Sequence, residues 1–245
     1  MLNSKDRVAI YMESNLDSDY GKMGMGVIRY LSNQITCIID SNHVGKSIKS
    51  FINTDRKIPI VESLEIALEK KSTVLILGIA PSGGKIPKEW NRIIEKALKN
   101  GLSIVNGLHE LLFPRWKDLI KKNKNQWIWD VRMPTFVPDI ATGKASKLKN
   151  KRILFIGTDM AVGKMTAALE IYSFLNKQSK NVGFVATGQI GITLTGNGIP
   201  LDAFKVDHAC GAVEAAVLEN SKKEIVLIEG QGSLLHPGST ATLPL

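Results

Sequence analysis

The chain has 245 residues, 44% hydrophobic and 22% charged, which suits one large or two small globular domains and excludes extended disorder or a collagen-like repeat. Its net charge is +9 and its mean hydropathy 0.00, and no run approaches the roughly 18 uninterrupted apolar residues of a membrane span. The opening MLNSKDR has no apolar stretch ahead of a small-residue cleavage site, so the protein is expected in the cytosol. Cys37 and Cys210 lie far apart with no Cys-x-x-Cys spacing, which points to small buried hydrophobes and away from a disulfide framework or a zinc knot.

In chain order, the apolar run Arg7 to Met12 predicts a strand, and a helix follows Gly21. Ile35 to Ile39 predicts a second strand, Ile58 to Val61 a short one, and Val74 to Leu77 a buried one that breaks into the loop GIAPSGGKIP. After Pro87, the apolar residues Trp90, Ile93, Ile94, Ala97 and Leu98 recur at helical spacing until Gly101 stops the pattern. His109 to Phe113 and Trp116 to Ile120 are helix candidates between strands at Ser103 to Val105 and Trp127 to Val131. Strands alternating with helices predict a parallel sheet of Rossmann-like type.

All of the positive excess falls within residues 1–150, and residues 151–245 are neutral. The lysines are scattered along helix-like stretches without interleaved aromatics, so no nucleic-acid interface is expected. The basic, Gly- and Ser-containing stretch ATGKASKLKNKR reads as a linker. The expected division is therefore a Rossmann-like domain over 1–143, a linker over 144–152 and a second α/β domain over 153–245.

The second domain opens with the strand Arg152 to Ile156, followed by a glycine loop and a helix-like stretch, GTDMAVGKMTAALEIYSFLNKQ. Val182 to Thr187 and Ile225 to Glu229 predict two more strands, with a helix near Asp207 to Leu218 between them. Three strands make a thin sheet. The expectation is either a strand borrowed from elsewhere or a fold incomplete at its C-terminal end, whose open edge favours association with a second copy.

A phosphate-binding loop needs glycines that let backbone N–H groups turn inward, a helix N-terminus, and a lysine for the outer phosphates. Gly157, Gly163 and Lys164 supply these, with Thr158, Asp159, Val162, Met165 and Thr166 completing the candidate cradle. The spacing GxxxxxGK is one residue longer than the common pattern, and Met165 stands where a metal-binding hydroxyl is usual. Thr166 comes about 100° further around the helix, which leaves a magnesium site on Thr166 and Glu229 open. Asp159 can anchor a substrate ammonium or brace the loop through an Asx turn. Glu229 ends a strand where parallel sheets meet ligands, and Asp207 can contact substrate or cap its helix. His236 is the candidate general base for deprotonating an attacking amine. The segment Asp40 to Ser47 (DSNHVGKS) ends like a phosphate loop but lacks its first glycine, so no phosphate site is expected there.

GTDMAVGK is similar to the loop of dethiobiotin synthetase, and EGQGS (Glu229 to Ser233) resembles that enzyme's segment whose glutamate helps hold magnesium. A longer resemblance runs through IAPSGG, NGLHELL, DVRMP, GTDMAVGKMTAALE, TGQIGI, GIPLDA and EGQGSLLHP to the D-glutamate N-acetyltransferase-like (DgcN-type) family, formerly a domain of unknown function. That family pairs a Rossmann-like domain with a P-loop domain and carries GKMT in its own loop, so Met165 fits it. The resemblance implies acetyl transfer from acetyl-CoA to the amine of a D-amino acid in D-glutamate breakdown. The alternatives are a ligase or kinase using ATP and magnesium, and a nucleotide-binding protein without catalysis.

Overall fold

The computed structural model describes residues 1–121 and 125–235. It separates into two compact units between Arg132 and Met133, ahead of the 143/144 boundary expected from the sequence.

The first unit holds a fully parallel six-stranded sheet in the order β3-β2-β1-β4-β5-β6. Its strands are β1 (Arg7–Tyr11), β2 (Gln34–Ile39), β3 (Ile60–Val61), β4 (Val74–Leu77), β5 (Ser103–Asn106) and β6 (Ile128–Asp130). The central strands are covered on both faces, which is why they read as unbroken apolar runs and show no alternation: every residue of β4 is buried. The helices are α1 (Lys22–Tyr30), α2 (Leu64–Glu69), α3 (Trp90–Lys99) and the single turn α4 (Phe113–Trp116). Helix α3 follows its sequence pattern, with Trp90, Ile94, Ala97 and Leu98 buried. Each large side chain so buried contributes about 1.5–3 kcal/mol. Sequential strands run outward from β1 in both directions, so the order reverses between β1 and β4.

The helix expected over His109 to Phe113 does not form; α4 begins only at Phe113. The Gly84 carbonyl accepts the amides of His109 and Glu110, and Asn106 donates to the Glu110 carbonyl and accepts from Leu108 N. Those bonds satisfy the backbone in a non-helical path. Buried Asp130 then accepts from Asn106 Nδ2 and from the amides of Leu112 and Phe113. In this way, IAPSGG, NGLHELL and DVRMP lock one corner of the first unit.

The second unit has three described strands, β7 (Lys151–Phe155), β8 (Val182–Val185) and β9 (Ile225–Glu229), parallel and in the order β7-β9-β8. Its helices are α5 (Lys164–Lys177), α6 (Gln189–Thr195) and α7 (Val206–Glu219). The core joins Val185, Val226 and Ile228 to the small face of α7, namely Ala209, Ala212, Val213, Ala216 and Val217. The expected linker packs here as well. Ala145 and Leu148 rest on that core, and Glu214 on α7 accepts from the Thr142 and Ala145 amides. Among the described residues, no helix is long and apolar enough to cross a membrane.

Candidate phosphate-binding site

Strand β7 ends at Phe155, directly opposite Glu229 at the end of β9, and β8 ends beside them with Val185 opposite Ile228. The carboxyl edge of the sheet therefore gathers three connections: residues 156–163 after β7, Ala186 to Gly188 after β8, and the stretch from Gly230 onward after β9. Ligands of open parallel sheets bind at this edge.

The loop after β7 doubles back on itself. A Cβ at Gly157 would lie 2.7 Å from Val162 Cγ2 and 3.3 Å from Lys164 Cδ, so only glycine leaves room for the loop to close. Gly163, immediately before α5, has φ +99, a left-handed conformation that suits glycine. Ala161 holds a positive φ of 59 without that freedom, the kind of backbone strain that collects at functional loops. Thr158 to Gly163 are exposed, and the amides of Ala161, Val162 and Gly163 make no hydrogen bond to a described residue. They run into the first turn of α5, whose N–H groups also lack intrahelical partners. Lys164 Nζ donates to the Asp159 carbonyl at 2.9 Å, arching over the loop. The result is a run of exposed backbone amides leading into a helix N-terminus, with the Lys164 cation beside it.

Asp159 turns its Oδ1 onto the Met160 amide at 2.6 Å, inside the loop. Met165 and Thr166 sit half-buried in the first turn of α5. The segment following Glu229 runs alongside the loop, with Leu234 N donating to the Gly157 carbonyl at 2.9 Å and Leu235 N to the Thr158 carbonyl at 3.3 Å. His236, the next residue in sequence, lies outside the described residues.

Glu229 is 4% exposed. Its Oε2 accepts the amides of Thr187 at 3.0 Å and Gly188 at 3.3 Å, and the Thr187 hydroxyl donates to the Glu229 carbonyl at 2.7 Å. Thr187 and Gly188 open α6, so Glu229 ties the end of β9 to the start of that helix. Neither residue stood out in the sequence as a partner of Glu229, although both lie within TGQIGI. Burial pushes the Glu229 carboxyl from 4.5 up to about 7, against the two amide hydrogen bonds, which pull it down. A carboxyl raised in the folded state contributes most stability below about pH 4.5 and loses it as pH rises through about 7. Glu229→Gln should remove that slope. Between pH 5 and 8 the parent chain is expected to lose about 2 kcal/mol relative to the variant, measured by urea denaturation at both pH values; parallel losses would contradict the assignment.

Asp207 is exposed in the first turn of α7, and Lys205 occupies the N-cap instead. Its carboxylate there favours the helix dipole. The neighbouring His208 donates Nδ1–H to the Pro138 carbonyl at 2.8 Å, which orients its ring. No group of three or more His, Cys, Asp or Glu among the described residues is arranged to hold a metal ion.

The comparisons with known proteins agree with this architecture. Residues 41–134 match the model "Domain of unknown function (DUF1611_N) Rossmann-like domain", and residues 139–245 match "Domain of unknown function (DUF1611_C) P-loop domain". The crystal structure of a DUF1611 family protein from Anabaena variabilis superimposes with a TM-score of 0.93 at 45% identity, covering 98% of this chain and 71% of that one. A protein named D-glutamate N-acetyltransferase from a Pseudoalteromonas species is 42% identical over 164 residues, 66% of this chain and 48% of the relative. A second protein of that name, from Tritonibacter scottomollicae, is 39% identical over 176 residues, 71% of this chain and 52% of the relative. The chain thus spans about half the length of these curated relatives. With both domain models and a near-complete superposition in agreement, the chain belongs to the DUF1611 family and is an α/β protein that joins a Rossmann-like N-terminal domain to a P-loop C-terminal domain.

Proposed function

We propose that this chain carries the coenzyme-holding part of an N-acetyltransferase acting on a D-amino acid of the D-glutamate type. The observation that carries the reading is the donor-lined loop between β7 and α5, joined to the activity for which two relatives at about 40% identity are named. The residues present fit the phosphates of acetyl-CoA. The unpartnered amides of Ala161, Val162 and Gly163 and the first turn of α5 would hold them, and Lys164 would leave the Asp159 carbonyl to meet the outer charge. Bound there, the coenzyme would supply an acetyl group on a thioester.

The chain's own residues would mainly position the partners. Asp159 and Asp207 would be the carboxylates that attract a substrate ammonium, and His236 would take the proton from the attacking amine. Glu229 would set the β8–α6 turn through Thr187 and Gly188. A magnesium-dependent reading fits the donor set less well, because Met165 offers no oxygen ligand and a Glu229 oxygen is already engaged by two amides.

Thermal unfolding separates the two readings. Acetyl-CoA without metal should stabilise the chain by about 2.7 kcal/mol at a hundredfold excess over Kd. Stabilisation by ATP with magnesium, and none by acetyl-CoA, would overturn the acetyltransferase reading in favour of a ligase or kinase.

A further inference from the structure

The reversal point of the first sheet, between β1 and β4, is where an open parallel sheet forms its ligand crevice. A cavity of about 570 Å³ opens there, within the range of small-molecule sites, lined by Tyr11, Glu13, Asn15, Glu89 and Trp90 among others. A Rossmann-like crevice usually takes a dinucleotide, and this one is built against it. The connection from β1 to α1 has no glycine before Gly21 and carries Glu13, Asp17 and Asp19, so it offers carboxylates where a pyrophosphate would lie. Asp40, at the end of β2 where a ribose-binding carboxylate would stand, is fully buried and already committed. It accepts the amides of Leu16 and Asn42, and its Oδ2 lies 3.0 Å from His43 Nδ1.

The lining suits the opposite charge. Tyr11 and Trp90 meet edge to face, with ring centroids 5.3 Å apart, and both are more than nine-tenths buried. The Tyr11 hydroxyl makes no hydrogen bond to any described residue although it borders the cavity. Burial, together with the charges of Glu13, Glu89 and Asp40, pushes the Tyr11 phenol up to about 12, so it stays neutral and can accept a hydrogen bond. Glu13 is held in place by Ser41, whose amide donates to its Oε2 at 3.0 Å and whose hydroxyl donates to its Oε1, and each oxygen keeps a second lone pair.

We propose that this cavity binds a small organic cation, an ammonium or guanidinium compound, between the carboxylates of Glu13 and Glu89 and against the aromatic walls of Tyr11 and Trp90. Cation–π contact and charge-assisted hydrogen bonds supply the recognition, and the lining includes no residue of the loop after β7.

Agmatine is a suitable probe for calorimetric titration of the full chain. Saturable binding is expected, weakened about tenfold or more by Glu89→Gln, a change at an exposed position, and similarly by Glu13→Gln. Lys164→Ala should bind agmatine as the parent does, so a failure here is separate from a failure of the loop assignment. No saturation up to about 10 mM agmatine, unchanged affinity in both glutamine variants, or displacement of agmatine by NAD would overturn the proposal.

Discussion

Replacing Gly230 with alanine is expected to destabilise the second unit by about 3 kcal/mol or more, at the upper end of overpacking costs. A Cβ at this position would stand 1.8 Å from the Phe155 carbonyl oxygen, which is backbone and has no rotamer to escape into. Phe155 and Glu229 are register partners, and β9 is the middle strand of the three. Moving its end would therefore strain the ladders to both β7 and β8 and pull Glu229 from the Thr187 and Gly188 amides. Gly188→Ala makes a useful contrast, because its nearest obstacle is the flexible Gln231 side chain. Calorimetry should find the melting temperature lowered by about 10 °C in the Gly230 variant and by less in the Gly188 variant. Equal melting temperatures in parent and Gly230→Ala would contradict the close approach.

Much of this fold is written in local pattern. Strands buried on both faces announce themselves as apolar runs, and α3 does so through the spacing of Trp90, Ile94, Ala97 and Leu98. Where the sequence was silent, tertiary contacts decide the outcome. Helix α6 is QIGITLT, rich in β-branched residues and glycine, with poor intrinsic propensity. It forms with its N-terminal end tied to Glu229 and with the Thr193 and Thr195 hydroxyls bonded back to the Gln189 and Gly191 carbonyls. Helix α2 is only six residues long, too short for a clear period. The stretch after Asn106 carries helix-like apolar spacing, yet Gly84 and Asn106 take its backbone bonds first.

The candidate site divides in the same way. Its loop was legible because glycines, lysine, preceding strand and following helix are contiguous. The engagement of Glu229 was not, because its partners lie more than forty residues away in sequence and meet it only across the sheet edge.

The second large effect concerns Lys164. Its removal deletes one hydrogen bond at the protein surface, so Lys164→Ala should cost about 1 kcal/mol of stability or less. For a bound polyanion the loss is greater, since a charge-assisted contact to phosphate contributes about 1.5–3 kcal/mol, and affinity should fall roughly ten- to hundredfold or more. Lys164→Arg keeps the charge but changes its shape, and intermediate affinity is expected. Calorimetric titration of acetyl-CoA into the parent chain and into Lys164→Ala tests the central claim most directly. The account predicts saturable, metal-independent binding to the parent that is lost or severely weakened in a variant still folded by circular dichroism; equal affinity in the two proteins would contradict it.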